Sequence, residues 1–499
     1  MESTDELITN IENMKIDEET AKPRTNITVL FIGHVDAGKS TICGQILLQL
    51  NLIDSRLLQK LIQESKDLKR ESWYLSYLMD TNPEERNKGK TTETGRAQFD
   101  LKTKRVYVLD CPGHKNYISE MINSAGQADI AILVISARIN EFESGLKGQT
   151  RDHIILAKSL GVKKIVVLVN KMDDPSVNFS QERYDFICTK MNLFLKKVYR
   201  NENVVFIPVS GFLGINFSFK ANEMPWYNGD CFLDYLDKVS VDDYIDNAVP
   251  GTCSISDNKK SDSCTLPTTN ENNAEVELDK SNVDENKASN IKGAESTVSD
   301  PLSNDKMIFL VSEKLKLLGT TFYYGKITTG RISKNMVIKI LPLNVKSNIL
   351  SILDEEDCEM EEATKGDNIK LKIGSNNEDI NEGSVFCDLN NADYNVSNEF
   401  TCSLAILDSK NIVPIGFKCI IHYRTEQRVC EIVDIRGKVN DKMVKKKFVK
   451  KGDKCLAKIV LDGMSTFYCG EDESKLDSFV LRDRDMTIAI GKVRKVIAK

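Results

Sequence analysis

Apolar residues fall in short, nearly unbroken runs along the first half of the chain, at 27–32, 106–109, 130–135, 165–169 and 204–209. Between them lie longer stretches, 40–50, 150–160 and 181–198, in which apolar and polar residues mix at helical spacing. Runs of four to six apolar residues without polar alternation predict strands buried on both faces. Strands that alternate with helices predict a mostly parallel sheet covered on both sides. In such a sheet ligands bind beyond the carboxyl ends of the strands, so chemistry is sought in the loops that follow these runs. Further on the period becomes two: Ile369, Leu371 and Ile373 alternate with lysines, and 487–493 behaves similarly. Short strands punctuated by Gly and Asn turns predict one or two small all-β barrel domains. No apolar run approaches the roughly 18 residues of a membrane-spanning helix, so no membrane association is expected.

Between Tyr244 and Phe309 there is no aromatic residue, and Ser, Asn, Asp, Glu and Lys dominate. Such a stretch cannot bury enough surface to offset its ordering entropy, which predicts a disordered acidic linker over 246–305. It also relocates the charge. Residues 251–305 hold 11 acidic and 5 basic side chains, which accounts for the net −6 of all 499 residues. The expected organisation is a short acidic tail (1–24), an α/β domain (25–245), the linker, and barrels over 306–396 and 397–499, divided near 391–398. The acidic start MESTDELITN has neither the basic residues nor the apolar stretch of a secretory signal. The 13 cysteines include no C-x-x-C pair, as suits a cytoplasmic protein with thiols as apolar fillers.

The loop after the first run reads Gly33-His34-Val35-Asp36-Ala37-Gly38-Lys39-Ser40-Thr41 and opens a helix. A G-x-x-x-x-G-K-S loop at a strand-to-helix junction is a P-loop: its N–H groups cradle phosphates, Lys39 reaches the β- and γ-phosphates, and the Ser40 hydroxyl ligates Mg²⁺. Asp110-Cys111-Pro112-Gly113-His114 follows 106–109. There Asp110 can hold the Mg²⁺ shell through water, and the Gly113 N–H can sense a γ-phosphate. Asn170-Lys171-Met172-Asp173 follows 165–169. The Asp173 carboxylate can accept from guanine N1–H and N2–H₂, a pair adenine lacks, so GTP is selected over ATP. Ser210-Gly211-Phe212 after 204–209 completes the base pocket, with the Gly211 N–H toward guanine O6. Of the four histidines, His34 sits in the P-loop and is read as structural, while His153 and His422 have no motif around them.

In this order the four motifs resemble those of the translational GTPases. Lys88-Gly89-Lys90-Thr91-Thr92-Glu93-Thr94-Gly95-Arg96-Ala97-Gln98-Phe99 narrows the resemblance to the eukaryotic peptide chain release factor 3 family, as do Ser136-Ala137-Arg138, Glu141 to Gly145 and Gly148 to Arg151. Gly325-Lys326-Ile327 with Gly330, 383–388, and Leu481-Arg482-Asp483 with 487–492 are similar to that family's second and third domains. The resemblance implies GTP/GDP and Mg²⁺ as cofactors, Thr91 as the switch threonine on the metal, and His114 orienting the attacking water. It implies a ribosome-stimulated GTPase of translation termination, with a class 1 release factor docked on the last barrel and the ribosome as partner. A monomer is expected.

Several departures bear on these expectations. Some two dozen residues precede the first strand, too few for the long extension that engages the poly(A)-binding protein. The 246–305 insertion is atypical, and Thr92 and Thr94 replace valines, leaving Thr91 and Thr92 adjacent as metal candidates. Leu476-Asp477-Ser478 lacks a usual Gly-Arg. The basic run 442–454, seven lysines around Phe448, is open to ribosomal RNA phosphates or to plain solvation. Two rival readings are a carrier of different cargo, either aminoacyl-tRNA or an mRNA-surveillance factor, and a GTP-binding scaffold without turnover. The switch signature opposes the first; Lys39, Ser40, Asp110 and His114 oppose the second.

Overall fold

A computed structural model of the chain describes residues 24–240 and 306–497, apart from short internal stretches at 81, 83–84, 87–90, 92, 115–116, 148, 163, 200–203, 318, 356, 375–378, 392, 408–411, 440–441, 469–476 and 485. The expected tail before residue 24 and the expected linker 246–305 lie outside the described residues, as do 88–90 and Thr92 of the switch signature.

The first half is built on β1 (Thr25–Gly33), β2 (Gly95–Asp100), β3 (Lys104–Asp110), β4 (Ile130–Ser136), β5 (Lys164–Asn170) and β6 (Val205–Pro208). They form one sheet in the order β2-β3-β1-β4-β5-β6. All neighbours pair in parallel except β2, which lies antiparallel on β3 at one edge. The helices are α1 (Lys39–Gln49), α2 (Ser55–Asp67), α3 (Ile118–Ala125), α4 (Glu141–Lys147), α5 (Gln149–Ser159), α6 (Gln181–Tyr199) and α7 (Phe232–Lys238). Alternate residues of each central strand face opposite cores. Leu30, Leu133 and Val167 pack with α3, α5 and α6 residues such as Met121, Ile154 and Met191. Val29, Ile132 and Val166 pack with Ile42, Ile46, Phe232 and Leu236 of α1 and α7. This two-sided burial is why the central strands read as unbroken apolar runs. The edge strand β2 buries only Phe99 and so carries no such run.

Each of the last two domains is a closed six-stranded antiparallel ring. In the first the strands run in the order Val337–Leu341, Val385–Cys387, Ile308–Leu317, Thr320–Thr329, Asn368–Ile373, Val345–Leu353 and back to Val337–Leu341. In the second the order is Phe417–Tyr423, Ser478–Asp483, Met486–Val496, Tyr394–Ile406, Lys454–Tyr468, Glu426–Val439 and back to Phe417–Tyr423. Ile369, Leu371 and Ile373 point into the first core, as their alternation predicts. The expected division at 396/397 falls inside the strand Tyr394–Ile406, whose first residue already pairs with Tyr468. The barrels therefore part before Tyr394. The sequence misleads here because Tyr394 and Tyr468 pack on Ile308, Val385 and Cys387 of the first barrel, so the apolar pattern continues across the junction.

Side chains tie the first barrel to the α/β domain. Lys326 Nζ donates to Asp129 Oδ2 (2.7 Å), Gln127 O (2.9 Å) and Thr28 Oγ1 (3.0 Å). Arg96 of β2 pairs with Glu313 at 2.9 Å and lies over the Tyr324 ring at 4.4 Å. Asn26 donates to Asp367.

Candidate functional site

Strand register gathers the site. Phe31 of β1 aligns with Asp110 of β3, Gly33 with Val134 of β4, and Ser136 of β4 with Asn170 of β5. The ends of four adjacent strands thus open at one edge, and the motif loops leave together. A cavity of about 510 Å³ lies there, walled by Val35, Asp36, Gly38, Lys39, Ser40, Thr41, Thr91, Gly113, His114, Asn170, Lys171, Asp173 and Phe212 among others. His34 and Ala37 line a separate cavity of about 290 Å³ behind the loop, which shares Val35 and Asp36. Ser210 and Gly211 support the base side without lining the larger cavity.

The loop is shaped so that its own backbone can approach a ligand closely. Gly33 has φ +151°, and a Cβ there would sit 2.4 Å from Val134 O; Gly38, at φ +96°, would place one 2.3 Å from Asn170 Nδ2. Only glycine meets both conditions. The Lys39 ammonium is buried and donates to His34 O at 3.0 Å. Burial lowers its pKa, and the nearby Asp110 charge opposes that shift. A Cβ on Gly113 would stand 2.7 Å from Lys39 Nζ and 2.9 Å from Val35 N, so the Asp110–His114 loop lies directly on the P-loop.

Next to the lysine is a set of oxygens. Ser40 Oγ is 3.2 Å from Thr91 Oγ1, and Thr91 in turn donates to Asp80 Oδ1 at 2.9 Å. Asp110 is fully buried, and neither carboxylate oxygen has a hydrogen-bond partner among the described residues. Burial pushes its pKa up to about 6, against the pull of Lys39. Asp80 is pushed up to about 7 by burial and by the Asp110 charge. Two neighbouring carboxylates, that of Asp110 with both oxygens unpartnered among the described residues, beside two hydroxyls suit a small hard cation, which satisfies the oxygens and relieves the repulsion. His114 is half-buried on the cavity wall, its ring 6.0 Å from that of Tyr117. Thr94 turns away to Ser124, with the two hydroxyl oxygens 2.9 Å apart.

At the other end Asn170 joins three motifs. Its Nδ2 donates to Ala37 O of the P-loop at 2.9 Å, and its Oδ1 accepts from Gly211 N at 2.8 Å. Lys171 is held by Glu141 Oε2 at 2.8 Å, and Glu141 also pairs with Arg138. Arg138 reaches Asp174 at 2.6 Å. Asp173 and the half-exposed Phe212 complete this end of the cavity.

Asp80, Trp73, Ser76 and Ser72 also line the cavity, although no motif singled them out. They lie on a segment of two short 3-10 turns, Glu71–Trp73 and Ser76–Leu78, which has no apolar period to read.

Comparison with known proteins adds to this geometry. A family model described as the elongation factor Tu GTP binding domain matches residues 24–250. A second, the GTP-eEF1A C-terminal domain-like family, matches 399–494. The eukaryotic peptide chain release factor GTP-binding subunit of Schizosaccharomyces pombe is 34% identical over 503 residues, spanning 98% of this chain and 67% of that protein. Its counterpart in Candida maltosa is 36% identical over 97% of this chain, which spans 62% of that relative's length. Among solved structures, the Ski7 GTPase-like domain of S. cerevisiae bound to GDP and inorganic phosphate superposes with a TM-score of 0.69 at 17% identity, covering 94% of this chain and 97% of that one. That last likeness is one of fold.

Proposed function

Because the chain belongs to the eukaryotic peptide chain release factor GTP-binding subunit family, within the GTPases built on the elongation factor Tu GTP-binding domain, we propose that it hydrolyses GTP in translation termination. The observation that carries this reading is the single cavity on which the P-loop, the Asp110–His114 loop and the Asn170–Asp173 loop converge.

Lys39 and the loop N–H groups hold the phosphates, and Asp173 reads the guanine edge; the Gly211 N–H, expected toward guanine O6, is instead engaged by Asn170 Oδ1 and braces the pocket from behind. Ser40 and Thr91 would hold Mg²⁺, with Asp110 reaching it through water, and the ion would supply neutralisation of charge on the β- and γ-phosphates. Asp80, which accepts from Thr91, orients that hydroxyl. The Gly113 N–H contacts the γ-phosphate. His114 positions a water in line with it, the role taken by glutamine in Ras-like GTPases. Loss of the phosphate removes the partner that holds both the Thr91 and the Gly113 segments, which is how hydrolysis becomes a conformational signal. The partners are the ribosome and a class 1 release factor, the latter on the last barrel; the protein works as a monomer in the cytoplasm.

The test is multiple-turnover GTP hydrolysis by the protein alone, with ribosomes, and with ribosomes plus either the class 1 release factor or charged tRNA. Stimulation needing ribosome and release factor together, lost in His114→Ala while GDP binding persists, is the expected result. Stimulation by charged tRNA instead, or binding without turnover in every mixture, overturns it.

A further inference from the structure

The cavity has a second wall that the recognised motifs leave unused: Ser72, Trp73, Ser76 and Asp80. This segment is not a loose flap. Leu75, Tyr77 and Met79 turn inward and are buried. A Cβ on Gly44 of α1 would lie 2.1 Å from Leu75 O, so the backbone here rests directly on the helix that follows the P-loop. Arg86 fixes the far end, donating to Asp80 O (2.7 Å) and Tyr77 O (3.2 Å) while pairing with Glu64 at 3.0 Å. Residues spaced by three and four, 73, 76 and 80, therefore face the cavity together.

The order along this wall is informative. Asp80 stands at the phosphate end, joined through Thr91 to Ser40. Ser76 and Trp73 precede it in the chain by four and seven residues and line the same cavity. Trp73 is half-buried, its backbone N–H donating to Arg70 O (2.9 Å) and its backbone carbonyl accepting from Ser76 Oγ (2.9 Å). The Arg70 guanidinium covers its ring at 4.7 Å from the centroid. A large flat side chain backed by a cation and set on the wall of a polar cavity offers an apolar face to a flat or ring-shaped ligand group.

Resting on the nucleotide reading above, we propose that Trp73 is a nucleotide-binding residue, packing against the nucleoside part of the ligand and slowing its release. Asp173 then fixes which base enters, and Trp73 fixes how long it stays. Stacking on an aromatic ring contributes about 1–3 kcal/mol, so Trp73→Ala releases nucleotide roughly tenfold faster, while Trp73→Phe stays close to the native rate.

The chain has only two tryptophans, which gives a direct readout. Trp226 packs on Tyr184 at 5.1 Å and donates to Phe179 O, outside the cavity lining. In full-length Trp226→Phe protein the remaining indole is Trp73. The experiment titrates that protein with GDP and GTP by tryptophan emission, with calorimetry in parallel, and measures release of a fluorescent GDP analogue from native, Trp73→Phe and Trp73→Ala chains. Saturable emission change at the calorimetric affinity, with release at least about fivefold faster in Trp73→Ala, supports the assignment. Calorimetric binding with unchanged Trp73 emission, or a release rate within about twofold of native in Trp73→Ala, overturns it. Absence of calorimetric binding in the native chain overturns the nucleotide reading itself. If Trp73→Ala fails to fold, the emission titration alone decides, since it leaves Trp73 in place.

Discussion

Replacing Asn170 with alanine tests whether the guanine end of the site is preassembled from within. The side chain is buried and makes two hydrogen bonds, to Ala37 O of the P-loop (2.9 Å) and from Gly211 N (2.8 Å). Truncation leaves a carbonyl and an amide without partners in a dry place, each costing about 1–3 kcal/mol. Relaxation and entering water recover part of that, so a total near 2–3 kcal/mol is expected. It is divided between folding and ligand binding according to how far the two loops drift apart. Charged to binding alone, it weakens GDP affinity roughly 30- to 150-fold. Asn170→Asp separates the two bonds: its oxygen still accepts from Gly211 N, but its second oxygen faces Ala37 O, so it loses at least as much as alanine. Calorimetric GDP affinity and urea unfolding of the three chains measure both shares. Affinity within about twofold and stability within about 0.5 kcal/mol of native for Asn170→Ala would show that the loops hold their places independently.

Two further predictions concern stability. Lys326 is largely buried and gives three hydrogen bonds to the α/β domain, so Lys326→Met destabilises by about 3 kcal/mol, with Asp129 left half-buried. A double-mutant cycle with Asp129→Asn in urea unfolding yields coupling above about 1 kcal/mol; coupling below about 0.3 kcal/mol refutes it. His422 is buried, and burial, reinforced by Arg482, pushes its pKa down to about 4. The folded state refuses a proton that the unfolded chain accepts below its ordinary value of about 6.5. This contribution is therefore fully present above pH 6.5 and lost as pH falls toward 4, the loss reaching about 2–3 kcal/mol by pH 4.5. Urea midpoints followed from pH 7 to 4.5 fall less steeply for His422→Gln than for the native chain; parallel curves refute the assignment.

How much of this was legible in the sequence follows from burial geometry. The central strands were legible because residues such as Leu30 and Val29 are buried on opposite faces, which writes an unbroken apolar run into the chain. The glycine loops were legible because Gly33 and Gly38 adopt positive φ against close neighbours, conditions that restrict the residue type. β2 was hidden, since a strand paired on one side that buries only Phe99 has no pattern of its own. Asp80 and Trp73 were hidden for a different reason. An irregular segment packed on α1 brings them to the cavity, and nothing local in Ser72 to Asp80 records that destination.

The ties between the first barrel and the α/β domain set terms for anyone who wants to cut the molecule into pieces. A fragment ending near residue 240 looks self-contained when judged by its sheet and helices. It would nevertheless carry Asp129 stripped of Lys326, Arg96 stripped of Glu313 and the Tyr324 ring, and Asn26 stripped of Asp367. Arg96 stands on the same edge strand that begins just after Thr91 and Thr94. A measurement on the excised piece would thus report a site whose flanking strand had lost its outer anchor. Rates from such a fragment describe an altered site, and the smallest faithful preparation includes the first barrel.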